Sequence, residues 1–145
     1  MSPSATASYQ NFFKHARLLR QSMRSITGTF VIVEDDKSLA DLIGMVLKQN
    51  GRKSMSAGSV FAAKEVISEL DGDAACVVVD ISLPGESGIE LLKWLDEFYP
   101  AVPYFIYTGM PQEKINRILQ DSDIAAEVVE KTDGMCTLMT ALGVA

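Results

Sequence analysis

Asp80 ends an apolar, β-branched run, AACVVVD (74–80), and a proline and two glycines follow at once in LPGESG. A carboxylate at the end of a strand that reads as buried is costly unless charged or hydrogen-bonding partners meet it. Three other apolar runs end in groups of complementary chemistry. TFVIVE (29–34) runs into Glu34, Asp35 and Asp36, VPYFIY (102–107) into Thr108 and Gly109, and IAAEVVE (124–130) into Lys131. If the runs lie parallel in one sheet, these groups share one edge. Clustered carboxylates repel one another, and burial adds to the cost. A divalent cation relieves both. The donors are hard oxygens with no nearby His or Cys to favour zinc, so Mg²⁺ is the expected ion, taking carboxylates, waters and a phosphate oxygen. Asp80 could then attack phosphorus, with the Thr108 hydroxyl and the Lys131 ammonium neutralising the phosphoryl oxygens.

The elements needed to bring these groups together are legible in the pattern. LADLIGMVLKQN (39–50) places Leu39, Leu42, Ile43, Val46 and Leu47 on one helical face, and Gly51 closes it. RKSMS (52–56) is a weak second strand. Ser59 caps a helix carrying Val60, Ala63, Val66, Ile67 and Leu70. Helices are predicted again over 88–98, 111–121 and 133–142. Five strand–helix units with continuous apolar strands predict an α/β fold, a doubly wound five-stranded parallel sheet covered by helices on both faces. In such sheets functional groups collect beyond the carboxyl ends of the strands, at the topological switch point.

Composition sets wider bounds. The chain has 145 residues, 48% apolar and 22% charged, room for one domain with a sizeable core. No apolar run approaches the ~20 residues of a membrane span, and no secretory signal pattern opens the chain. A cytoplasmic location is expected. Cys76 and Cys136 form no C-x-x-C and are expected as buried thiols. The net charge is −6 and unevenly spread. Residues 1–33 hold four of the 13 basic residues, Lys14, Arg17, Arg20 and Arg24, and none of the 19 acids. The acidic remainder argues against nucleic-acid binding, which needs phosphate neutralisation. Residues 1–27 read as a separate N-terminal arm. Phe12, Ala16, Leu19, Met23 and Ile26 recur at helical spacing, predicting an extra amphipathic helix that packs back on the domain, pairs two copies as a homodimer, or docks a partner. Two heptads are short for a coiled coil.

From about Thr29 to Ala145 the chain resembles the receiver domain of bacterial two-component response regulators, through VIVEDD, VVVDISLPGESGIELL, FIYTG and VVEK. Four such segments in order, each at a strand end, are far more specific than any one. The resemblance implies a sheet order of 2-1-3-4-5, with 28–145 as the receiver domain. It implies Asp80 as phosphoacceptor, Thr108 as switch hydroxyl and Lys131 as the conserved lysine. The Mg²⁺ ligands would be Asp35 and Asp80, Glu34 acting as their acidic neighbour through water, and the Ser82 carbonyl. Ser82 and Met110 match the positions that tune dephosphorylation, and Pro84 and Gly88 the turn after the acceptor. Two residues depart from the pattern: Thr132 stands where the family has proline, and Val128 where it has an aromatic switch residue.

The implied function is a single-domain response regulator. It takes a phosphoryl group from a histidine kinase or phosphotransfer protein and signals by protein contact, with no DNA-binding or enzymatic output domain. The rivals are a receiver fold that binds partners without phosphorylation, and a metal-dependent phosphohydrolase. The latter would want a second acid where Ser82 stands. Plainer roles are expected elsewhere: Asp36 as a helix cap, Glu86 as a solvated loop charge, Trp94 as a packing residue, and His15 as a surface residue of the arm.

Overall fold

A computed structural model describes residues 28–144. The arm helix expected over residues 9–26 therefore lies outside the described residues. Strands β1 (Thr29–Val33), β2 (Lys53–Ala57), β3 (Ala74–Val79), β4 (Tyr104–Thr108) and β5 (Glu127–Glu130) form one sheet. All its pairings are parallel and the order is 2-1-3-4-5. The helices between and after them are α1 (Lys37–Gln49), α2 (Val60–Glu69), α3 (Gly88–Phe98), α4 (Gln112–Ser122) and α5 (Gly134–Ala141). No helix among the described residues is long and apolar enough to cross a membrane.

Side chains alternate across each strand, so the sheet divides the core in two. Val31, Val33, Val77, Val79, Tyr104 and Ile106 face α2, α3 and α4. Phe30, Ile32, Val78, Phe105 and Tyr107 face α1 and α5. The two-sided cover explains why β1, β3 and β4 read as unbroken apolar runs.

Local chemistry moved several predicted boundaries. In α1 the Asp36 carboxylate caps the Leu39 amide at 3.2 Å, so the helix begins two residues before the predicted start. Its buried residues are Ala40, Ile43 and Leu47, while Leu42 is exposed. The stripe is centred on Ile43, and Leu42 lies ~100° around the helix from it. Strand β4 starts at Tyr104 rather than Val102. Pro103 has no N–H to give a ladder and supplies only its carbonyl, which accepts from the Val77 amide at 2.9 Å. Strand β5 starts at Glu127 rather than Ile124. Asp123 turns left-handed (φ 56°) to end α4, and the Ile124 amide folds back onto the Leu119 carbonyl at 3.0 Å.

Cys76 is buried as expected, but Cys136 is exposed. It lies on the outer side of α5, whose core face is taken by Leu138 and Met139. Trp94 is half-buried against Phe98 and Tyr99, with the Lys64 ammonium 5.7 Å from its ring centre.

Candidate functional site

Register brings the acids together. Val33 of β1 lies opposite Val79 of β3, and the Asp80 amide continues the ladder to the Val33 carbonyl at 3.0 Å. On the other side the Glu34 amide bonds the Ala57 carbonyl at 3.0 Å. Glu34 and Asp35 thus leave β1 beside Asp80 as it leaves β3. These are the two strands from which the chain winds in opposite directions, the switch point where ligands are expected. One carboxylate oxygen from each of Glu34, Asp35 and Asp80 can be chosen so that all lie within 4.8 Å of one another. Glu34 and Asp80 are buried and Asp35 is exposed, so the cluster opens to solvent on the Asp35 side.

Lys131 closes it from the turn just past β5. Its ammonium lies 2.8 Å from Glu34 Oε2 and 2.9 Å from Asp80 Oδ2. The second oxygen of each acid is also held. The Asp36 amide donates to Glu34 Oε1 at 3.1 Å, and the Ser82 amide donates to Asp80 Oδ1 at 3.0 Å. Both carboxylates are therefore fixed in plane before any ligand arrives. Thr108 ends β4 fully buried, and its hydroxyl oxygen accepts from the Met110 amide at 3.2 Å. Thr108 pairs with Glu130, which puts the lysine one residue beyond it on the neighbouring strand. Ser82 touches the cluster through its amide.

Burial raises the Glu34 carboxyl above its usual range. The Lys131 and Asp36 hydrogen bonds oppose this, and the nearby Asp80 charge reinforces it. Burial alone would lower the Lys131 ammonium. The hydrogen bonds and charges of Glu34 and Asp80 outweigh it, and the group stands above its ordinary 10.5. A raised lysine binds its proton more tightly in the folded state. Its stabilising contribution is complete below the unfolded value and is lost as pH rises through the folded one. The metal-free protein is thus expected to lose melting temperature above about pH 10.5. Lys131→Met should lack that step, and thermal melts across pH 8–12 check it.

The donor set fits a hard divalent cation. Three carboxylates face one ammonium, an excess of two negative charges on oxygen ligands without His or Cys. Glu34, Asp35 and Asp80 could together hold a divalent cation such as Mg²⁺.

The turn after Asp80 depends on Gly88. Its amide donates to the Ile81 carbonyl at 3.0 Å, and a Cβ there would sit 2.5 Å from the Asp80 carbonyl oxygen. Between them, Ser82–Leu83 and Glu86–Ser87 pair as a small antiparallel hairpin. The hairpin corrects the expectation for Glu86, which is half-buried and accepts from the Val60 amide at 2.6 Å. The first amides of a helix lack intrahelical partners and favour a carboxylate there. No local signal announces this bond, because 26 residues separate the partners.

Glu130, read from the pattern only as the last residue of a strand, is a capping residue. Its Oε1 accepts from the Gln112 amide at 2.9 Å, capping α4 where Pro111 offers no side-chain bond. Glu130 and Asp133 also form a reciprocal capping box around the 3₁₀ turn Lys131–Asp133. Their three-residue spacing was the available signal. This box shapes the turn that contains Thr132, and every described peptide bond is trans. Val128 is half-buried, paired with Ile106 and packed on the α2–α4 side of the core.

The family model of the response regulator receiver domain matches residues 30–142. A cyclic di-GMP phosphodiesterase of Thermotoga maritima is 31% identical over 87 residues, which are 60% of this chain and 23% of that protein. A probable transcriptional regulatory protein, TcrX, of Mycobacterium tuberculosis is 30% identical over 81 residues, 56% of this chain and 34% of that one. The chain thus spans about a quarter to a third of these relatives' lengths. Among solved structures, a response regulator receiver domain protein from Clostridium thermocellum superposes with a TM-score of 0.70 at 22% identity, covering 80% of this chain and 91% of that one.

Proposed function

The chain belongs to the response regulator receiver domain family of two-component signalling, and from that premise we propose that Asp80 is its phosphoacceptor, receiving a phosphoryl group from a histidine kinase or phosphotransfer protein in the cytoplasm. One observation carries the reading. Asp80 is a buried carboxylate held at both oxygens, by Lys131 and by the Ser82 amide, beside two further acids able to share a cation.

In the transfer an Asp80 oxygen attacks phosphorus while the bond from phosphorus to the donor imidazole nitrogen breaks, and the nitrogen keeps the electron pair. The product is an aspartyl phosphate. Asp35, Asp80 and Glu34 would hold Mg²⁺, with the Ser82 carbonyl as a further ligand. The ion supplies charge neutralisation for the phosphoryl oxygens. The Lys131 ammonium and the Thr108 hydroxyl bind phosphoryl oxygens, the latter by turning from the Met110 amide it now accepts from. Such positioning, more than acid–base chemistry, accelerates phosphoryl transfer. Beyond phosphorylating and dephosphorylating itself the domain has no turnover of its own, and its output is contact with another protein. Val128 leaves that output without an aromatic switch on β5.

Acetyl phosphate with Mg²⁺ tests the reading. Intact mass of the wild type should show one added phosphoryl group, removed by hydroxylamine and absent when Mg²⁺ is chelated. No adduct would leave the fold as a partner-binding module.

Lys131→Ala gives a second test. It leaves Glu34 and Asp80 adjacent, buried and without their shared, partly exposed cation, and should cost the metal-free protein about 1–3 kcal/mol. Mg²⁺ should then raise the melting temperature more in the variant than in the wild type, because the lysine no longer competes for the same oxygens. Calorimetry with and without Mg²⁺ measures both effects.

A further inference from the structure

We propose that the basic N-terminal arm, residues 9–26, docks on its own domain at the acidic rim beneath α2 and α3. The rim lies at the amino ends of the strands, opposite the Asp80 edge.

The exit point of the arm places it there. A Cβ on Gly28 would lie 2.7 Å from the Ala75 amide nitrogen, so the chain enters β1 pressed against the start of β3. Thr29 is paired with Ala74, and the loop before Ala74 carries Asp71 and Asp73, with Glu69 at the end of α2. The same loop touches α3, since a Cβ on Gly72 would lie 2.7 Å from the Tyr99 ring. Just before Tyr99 are Glu97 and Phe98, the latter 59% exposed with its ring tilted against Trp94 at 5.9 Å. A segment of 18 residues reaches ~27 Å as a helix, enough to lie across both helix ends.

The chemistry of the rim matches the arm. Helix carboxyl termini carry partial negative charge and favour cations in the last turn. Neither α2 nor α3 has a basic residue in its last turn. Glu69, Asp71, Asp73 and Glu97 add four exposed acids, and none forms an ion pair among the described residues. The arm brings Lys14, Arg17, Arg20 and Arg24 with no acid. It also brings the apolar stripe Phe12, Ala16, Leu19, Met23 and Ile26, which the Phe98 face can cover. The alternative groove between α1 and β2 is lined by one acid, Asp41, already paired with Lys37 at 3.4 Å, and one base, Lys48, and so offers the arm no net negative charge.

Limited trypsin cleavage of the full chain tests this, with sites after Lys14, Arg17, Arg20 and Arg24 mapped by mass. Cleavage should be slow at low salt and about tenfold faster in Glu69→Lys/Asp71→Lys/Asp73→Lys, because proteolysis follows the undocked population. Glu113→Lys, a reversal of an exposed acid in the first turn of α4, should leave it unchanged. Arg17→Asp/Arg24→Asp combined with the triple reversal should change how fast the remaining sites are cut, restoring slow cleavage. Rates equal in wild type and triple variant, or raised equally by Glu113→Lys, overturn the proposal. So does protection that grows with protein concentration alongside a doubled mass in light scattering, which would assign the arm to a second copy.

Discussion

Asp80→Asn is expected to remove the acetyl phosphate adduct, lowering its yield at least about 100-fold, with the fold intact. A carboxamide carries no anionic oxygen, and nucleophilic attack on phosphorus depends on that charge. Structurally the exchange is mild. The Asn carbonyl oxygen can still accept the Ser82 amide, now 3.0 Å from Asp80 Oδ1. The Asn NH₂ then faces the Lys131 ammonium where Asp80 Oδ2 now accepts at 2.9 Å, so that bond is lost and Lys131 keeps only its 2.8 Å partner Glu34. The Asp80 charge also helps to raise Glu34, so its removal relieves like-charge repulsion. Without metal the variant should therefore melt within a few degrees of the wild type or above it. With Mg²⁺ it should gain less, having lost one of the three clustered carboxylates. Intact mass reads the adduct, and calorimetry with and without Mg²⁺ reads the rest. An undiminished adduct in Asp80→Asn would place the acceptor elsewhere.

Gly88→Ala is expected to destabilise the domain by about 3 kcal/mol, lowering the melting temperature by about 10 °C. The added methyl would stand 2.5 Å from the Asp80 carbonyl oxygen and 3.1 Å from Ile81 Cα and Val79 Cγ2. Two of those neighbours are backbone atoms of the strand end and cannot swing away as a side-chain tip would. Relief must come from moving α3 off the sheet or shifting the Asp80 turn. The first opens the core around Ile89, Leu91 and Leu92, all buried on α3. The second moves the acceptor. The variant should thus lose phosphorylation rate as well as stability. A Gly88→Ala protein with wild-type melting and wild-type rate would show that the turn is softer than its contacts imply.

Both predictions rest on the same few residues, and these differ in how openly the sequence announces them. Asp80, Glu34, Asp35, Thr108 and Lys131 could be picked out because each follows an apolar strand run. A parallel sheet has only one edge to which all such ends can point. Gly88 could be named from its motif, but its necessity lies in a distance to a carbonyl eight residues earlier. The helix expected over 88–98 formed at those bounds as α3, although Phe98 at its end is exposed, and the buried face of α1 is rotated from the expected stripe. There Ala40 rather than Leu42 met the sheet, since rotation about the helix axis is set by contact and not by hydrophobicity alone. The strand starts moved wherever backbone chemistry overrode side-chain pattern: the missing N–H of Pro103 shortened β4, and the left-handed Asp123 delayed β5.

The five alternating strands and helices and the identity of the groups at the strand ends were determined by the sequence, the strand order being only implied by the family resemblance. They depend on residue type, period and chain direction, which are local properties repeated five times. The tertiary structure alone decided that Lys131 bridges Glu34 and Asp80, that Glu86 caps α2 across 26 residues, that Glu130 caps α4, and that Cys136 faces solvent. Each of these is a contact or an exposure between elements distant in the chain. Its energy depends on separations of a few ångströms that no local pattern encodes, because only packing of the helices on the sheet sets them.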